Sequence, residues 1–361
     1  MKLGFGLYRH QLNQDSYRFA RQCGATHLVV HLVDYTNACR PRQESERRAN
    51  QQPVGRQDGW GRAGDPNDPC WSVEWLERLK ADVEAEGLSI WAIENLDPSM
   101  WHDVLLDGPR KDEQMARLSQ VVRNVGRVGI PVLGYNFSIA GVCGRDEKPL
   151  ARGGAMTVVM DGADQTPLPG GMVWNMWYDA NASERPVGPI THDELWRRLE
   201  WFLTRLAPVA EASGVRLAAH PDDPPTPTLR GTPRLVYQPR MYQRLLDLVP
   251  SRSNALEYCL GTLAEMTEDD IYAMTDHYSK HGHIAYVHFR NVRGKAPHYQ
   301  EVFVDEGQID MPRILGILKK NSYDGVLVPD HTPLMTCDAP WHAGMAYAMG
   351  YMRALLSMID R

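Results

Sequence analysis

Short apolar, β-branched runs recur along the chain, each followed by a loop and then by a stretch whose apolar residues have helical spacing. The runs are Leu3 to Leu7, His27 to Leu32, Ser89 to Glu94, Ile130 to Phe137, Val215 to His220, Ala255 to Cys259, Ile284 to Phe289 and Gly325 to Pro329. They read as eight strands. Helices are predicted between them in "SVEWLERLKADVEAEG", "RKDEQMARLSQVVRNVGRVG", "THDELWRRLEWFLTRLAPVAEASG" and "MPRILGILKKN". Gly87, Gly129 and Gly214 stand where helices should end, because glycine is the preferred residue just past a helix C-terminus. Thr191 is placed to cap a helix, with Glu194 at the capping-box position. Eight alternating units in one chain close most naturally into a (β/α)₈ TIM barrel, expected here as a single domain over residues 1–361. The rival α/β fold, a doubly wound sheet, would carry a Gly-rich phosphate loop after the first strand, and none is present.

Two connections are too long for plain loops: Arg40 to Trp71, rich in Arg, Gln, Gly and Pro, and Gly141 to Pro189, after the second and fourth strands. Long insertions in a compact domain serve as lids or interface arms, and both should lie on the C-terminal face of the barrel, where active sites are built. For the first, a solvated or oligomer-forming arm is as good a reading as a lid. The second is expected to be a lid, because Met172, Trp174, Met176, Trp177 and Tyr178 are more apolar than a solvated loop requires.

Composition narrows the function. With 361 residues, 43% hydrophobic and 23% charged, the chain reads as a globular protein. It has no apolar run long enough to span a membrane, and its start lacks the apolar core of a signal peptide, so a cytoplasmic location is expected. The six cysteines show no close pairing and are expected to be reduced thiols. A net charge of −6 without a long basic block argues against a nucleic-acid partner and for a small molecule, including an anionic one held by local arginines.

Candidate chemistry sits at the ends of the last four strands. Strand five ends at His220, strand six at Cys259, strand seven at His288 and strand eight at Asp330, spaced 39, 29 and 42 residues apart, about one βα unit each. Adjacent strands lie about 4.8 Å apart, so these four residues can converge on one ion. Singly, a strand-end histidine is more often structural, a lone cysteine is usually packing, and Asp330 could merely cap a helix. It is their common position on the rim that makes a metal site the stronger reading. A thiolate, two imidazoles and a carboxylate from separate strands suit a catalytic divalent ion such as Mn²⁺, Fe²⁺, Co²⁺ or Zn²⁺ rather than a structural zinc module. His331, next to Asp330, is placed to carry protons, with support of a ligand as its alternative role. Arg145 follows strand four, Asp222 and Asp223 follow His220, and Arg290 and Asn291 follow His288; arginines at this rim suit a substrate carboxylate, surface ion pairs being the competing explanation.

The same residues carry a resemblance. "HPDDPP" followed by "GTPRLV", then "CLGT", "VHFRNV" and "PDH", with "ENL" at Glu94 to Leu96 and "GYNF" at Gly134 to Phe137, resemble the mannonate dehydratase family from about Glu94 to Gly350. The resemblance implies a xylose-isomerase-like barrel, a divalent metal that is usually Mn²⁺, and dehydration of D-mannonate to 2-keto-3-deoxy-D-gluconate. It carries the metal ligands onto His220, Cys259, His288 and Asp330 and the acid-base histidine onto His331, and it suggests a homo-oligomer. The family's catalytic tyrosine falls at or near His342 when counted back from Gly350, with Tyr347 nearby. Thr332 stands in place of a family glycine, and the segment after "GYNF" diverges from the family pattern. Two further readings stay open: a metal-dependent isomerase, epimerase or lyase on another carbohydrate, and a sugar-acid binding protein that keeps the metal as a structural ion.

Overall fold

The structure, a computed structural model, describes residues 1–35, 61–182, 186–268 and 270–359. Residues 40–60 of the first insertion lie outside it. Eight parallel strands close a barrel: β1 (Lys2–Leu7), β2 (His27–His31), β3 (Ser89–Glu94), β4 (Val132–Tyr135), β5 (Arg216–Ala219), β6 (Asn254–Cys259), β7 (Ile284–His288) and β8 (Val326–Val328). Each pairs with its sequence neighbours, and β8 pairs with β1. The eight predicted strands are all present, most of them shorter by a residue or more. Between and after them run α1 (Gln14–Gln22), α2 (Val73–Ala85), α3 (Lys111–Val128), α4 (His192–Ala212), α5 (Met241–Leu248), α6 (Ile271–Lys280), α7 (Met311–Lys320) and α8 (Pro340–Ile359).

Local chemistry sets these boundaries. Thr191 Oγ1 accepts from Glu194 N, and the Glu194 carboxylate accepts from Thr191 N, so α4 begins with the expected capping box. The C-terminus of α3 closes on Gly129 at φ +80°, a conformation that costs a residue with a Cβ about 1–2 kcal/mol. Along α3, Leu118, Val121, Val122 and Val125 are buried at helical spacing, which turns one face onto the strands. Two apolar layers result. The larger lies between helices and strands; the smaller fills the barrel with Val29, Ala92, Val132, Ala218, Ala255, Ala285, Tyr286, Val326 and Val328. Strand side chains alternate between faces, so the residues that continue this inward set reach the C-terminal rim.

The insertions build a roof. From the second come a hairpin, Asp146–Ala151 with Ala155–Asp161, and a smaller pair, Met172–Val173 with Met176–Trp177. The smaller pair is joined by Gly61–Arg62 of the first insertion, so the two insertions meet. A further hairpin after β7, Asn291–Lys295 with His298–Val302, pairs with the strand Ala155–Asp161 to complete a four-stranded antiparallel sheet. This third insertion was not expected from the sequence.

Candidate active site

The inward positions at the strand ends converge. Cys259 and His288 are direct partners in the β6–β7 register, and His220 follows the last residue of β5. One ligand atom each from His220, Cys259 and His288 lie within 4.8 Å of one another. The His220 N–H at Nδ1 donates to the Pro221 carbonyl at 2.6 Å, which leaves Nε2 as the acceptor nitrogen. Asp330, two residues beyond β8, puts Oδ2 3.5 Å from His288 Nδ1. Cys259 Sγ accepts from Thr262 N–H and Oγ1–H at the start of a short helical turn. Burial alone would push this thiol up, but the charge of Arg290 and contacts with His220 and His288 outweigh it and bring it down to about 5. The thiolate is the form that binds cations.

Beneath these groups sits a buried acid-imidazole layer. His288 Nε2 is 3.2 Å from Glu94 Oε2 and 3.3 Å from Glu257 Oε1, and His31 Nε2 is 3.7 Å from Glu94 Oε1. Room for it comes from Gly134, where a Cβ would stand 2.7 Å from both Glu257 Oε2 and Tyr286 Oη. Burial raises the Glu257 carboxyl to about 8, helped by the neighbouring Glu94. Glu94 itself is held at about 2, because His31 and His288 overcome the burial that would raise it.

Above lies a second buried cluster. Arg290 donates to Glu301 (2.5 Å), Thr262 Oγ1 (2.8 Å), Asp223 (3.0 Å) and Glu265 (3.3 Å), and Arg145 donates to Glu301 (3.1 Å). His331 Nδ1 is 2.9 Å from Glu301 Oε2, and Tyr299 Oη donates to Asp223 (3.2 Å). Between the layers is a pocket lined by Glu94, Asn95, Asn136, Val142, Trp174, His220, Asp223, His288, Asp330 and His331. Trp174 brings the second insertion over the pocket. Its backbone passes so close to Gly141 that a Cβ there would lie 2.6 Å from Trp174 Cα.

The expected residues divide accordingly. His220, Cys259, His288, Asp330 and His331 meet at one rim. Arg145 and Arg290 stand behind the pocket wall, not on its lining, with their guanidinium groups on protein carboxylates. Asp222 turns away, accepting from the backbone N–H of Leu235 and Val236 and pairing with Arg234, so it shapes the loop after β5. Asn291 clips the end of the β7 hairpin through the backbone of Val292, Val304 and Ile309. His342 lies outside the pocket: it packs against the rings of Phe19 and Trp341, while Trp341 and Met345 face the space beside Asp330. Tyr347 is also outside, donating to Asp305.

Sequence reasoning missed His31, Glu257, Glu265 and Glu301 as members of the site. Glu257 carried a usable signal, since it lies two residues before Cys259 on one strand and therefore faces the same way. Glu301 carried none, because its strand was not anticipated.

The donor set fits a divalent cation. Two imidazoles and a thiolate converge, the Asp330 carboxylate stands 3.5 Å from one of those imidazoles, and the buried His288 Nδ1 makes no hydrogen bond among the described residues.

Known proteins resemble this chain in sequence and in fold. The sequence profile described as D-mannonate dehydratase (UxuA) matches residues 51–155 and 185–361. A mannonate dehydratase of Streptococcus equi subsp. zooepidemicus is 33% identical over 279 residues, covering 74% of this chain and 76% of that protein. The crystal structure of mannonate dehydratase from Streptococcus suis serotype 2 superposes with a TM-score of 0.78 at 26% identity, covering 100% of this chain and 94% of the other. A xylose isomerase domain protein from Planctomyces limnophilus matches at TM-score 0.55 and 11% identity, over 99% of this chain and 98% of the other, which shows the fold alone. From its profile match and its relatives, this TIM barrel belongs to the D-mannonate dehydratase family.

Proposed function

We propose that the chain is a divalent-metal-dependent hydro-lyase that converts D-mannonate to 2-keto-3-deoxy-D-gluconate and water, or a close aldonate analogue to its own 2-keto-3-deoxy acid and water, with Mn²⁺ as its metal. The observation that carries this reading is the meeting of metal-type donors and His331 in one pocket of a chain from this family. His220, Cys259, His288 and Asp330 would hold the ion. When bound, it supplies a Lewis acid that stabilises negative charge as it develops on substrate oxygens.

The protein's own groups do the rest. Elimination removes the proton next to a carboxylate and delivers a proton to the departing hydroxyl. His331 faces the pocket and moves one of these protons. Asn95, Asn136 and Asp223 offer polar atoms to the hydroxyl chain, and Trp174 excludes water from above. Arg145 and Arg290 act from behind the wall, keeping Asp223 and Glu301 in place. The reading extends to a cytoplasmic enzyme working as a homo-oligomer.

One observation favours a second reading, an isomerase, epimerase or lyase acting on another carbohydrate. The start of α8 turns Trp341 and Met345, not a phenol, toward the rim. The deciding experiment is turnover of D-mannonate by Mn²⁺-supplied protein, followed through the 2-keto-3-deoxy acid, beside His331→Asn. We expect product from the wild type and a loss of about 10²–10⁴-fold in the variant with metal still bound. Near-wild-type turnover in the variant would remove His331 from its role, and no product from the metal-loaded wild type would favour the second reading.

A further inference from the structure

We propose that Glu301, carried by the hairpin inserted after β7, is the positioning residue of His331: its carboxylate takes the Nδ1 proton in a hydrogen bond and leaves Nε2 as the nitrogen that works in the pocket. The inference rests on the reading of His331 as a proton carrier and names what aims it.

The geometry is that of a carboxylate behind an imidazole. Both Glu301 oxygens approach His331 Nδ1, at 2.9 and 3.1 Å, and Glu301 is buried. A neutral imidazole has one N–H, and a carboxylate beside one ring nitrogen decides where it resides. With Nδ1 so engaged, Nε2, 3.4 Å from Asp330 Oδ1, is the nitrogen left for a substrate. Arg145 and Arg290 also donate to Glu301 Oε1, which keeps the carboxylate charged and fixed in its plane.

What holds Glu301 comes from a different part of the chain. Its backbone carbonyl accepts from Thr157 Oγ1 at 2.8 Å, and the strand Ala155–Asp161 that carries Thr157 pairs with His298–Val302. Thr157 belongs to the insertion after β4, Glu301 to the insertion after β7 and His331 to the end of β8. The roof sheet is therefore more than a cover: docking two insertions on one another sets the aim of a side chain on the barrel rim. A carboxylate placed this way also selects one tautomer before substrate arrives, so the proton carrier needs no reorientation during turnover.

The test combines kinetics with a direct view of the ring. Glu301→Ala, Glu301→Gln and Thr157→Val are compared with wild type, using D-mannonate turnover and ¹⁵N-histidine NMR of protein supplied with diamagnetic Zn²⁺, with His331→Asn identifying the resonances. The wild type should show His331 protonated at Nδ1. Glu301→Ala should lose that state and lower kcat by about 10- to 100-fold, the usual cost of an outer partner, with KM little changed. Glu301→Gln, which keeps an acceptor oxygen, should retain more of both, and Thr157→Val should show a smaller shift in the same direction. The same His331 tautomer in wild type and Glu301→Ala, or an Nε2-protonated wild type, would overturn the inference. Should Glu301→Ala fail to fold, Glu301→Gln and Thr157→Val decide it by the same resonances. A wild type without dehydratase activity would count against the proposed function only, since the tautomer is read without turnover.

Discussion

The rim of the barrel and the roof above it reach the same pocket by opposite routes. Each rim donor ends a regular βα unit, and its direction is set by the alternation of a strand locked into the barrel ladder. The roof is assembled from segments far apart in the chain, as in the Thr157–Glu301 contact across 144 residues. Its buried carboxylates are held by Arg145 and Arg290 in addition to the short strands that carry Glu301 and its neighbours. The difference separates two tasks. In the proposed function the rim is the half that would hold the cation, whereas the roof closes the pocket and would aim the groups that meet substrate.

That division can be broken one half at a time, and the rim should give the larger effect. Cys259→Ala removes the thiolate and reaches the upper cluster only through Thr262, whose hydroxyl also bonds Arg290 and Asp223. Because loss of even an outer partner costs about 10- to 100-fold in metal affinity, loss of this ligand should cost more than about 100-fold. Calorimetric titration with Mn²⁺ and metal content after dialysis would measure it, and turnover should fall in parallel. Unchanged affinity would mean that the four rim residues do not act as one site.

A smaller and different effect is expected from the roof. Gly141 sits at φ +68° against the backbone of Trp174, and Gly141→Ala adds a Cβ to that contact. The left-handed conformation alone costs about 1–2 kcal/mol for a residue with a side chain. The clash should also shift Trp174, which lines the pocket. We expect a lower unfolding midpoint and a raised KM for D-mannonate, with Mn²⁺ affinity as in wild type. A fall in Mn²⁺ affinity would show that roof and rim are not separable.

The same contrast explains what the sequence disclosed. Strand ends at His220, Cys259, His288 and Asp330 were legible because βα units repeat and strand residues alternate. Glu257 and His31 obey that rule and were within reach of it. Glu301 was not, since its strand is short, mixes polar and apolar residues and pairs with a segment more than a hundred positions away. Arg145 and Arg290 were placed near the site but their partners were not, because which carboxylates surround a guanidinium is decided by how the insertions dock. Asp222 and Asn291 illustrate the same limit: both lie beside site residues in the chain, yet their side chains hold loops.

His342 marks the boundary of the site and should show the smallest effect. Position counting put it where a catalytic phenol would be, but one helical step separates neighbours by about 100°, so Trp341 faces the pocket side and His342 faces α1. Its ring lies 4.9 Å from Phe19 and 5.0 Å from Trp341, and burial lowers its pKa, as expected for an imidazole used in packing. His342→Ala should then remove part of an edge-to-face contact worth about 0.5–1.5 kcal/mol. The cost should appear in the unfolding midpoint, with kcat and the pH profile as in wild type. A large drop in kcat at unchanged stability would bring α8 into the chemistry and move the edge of the site outward from Trp341.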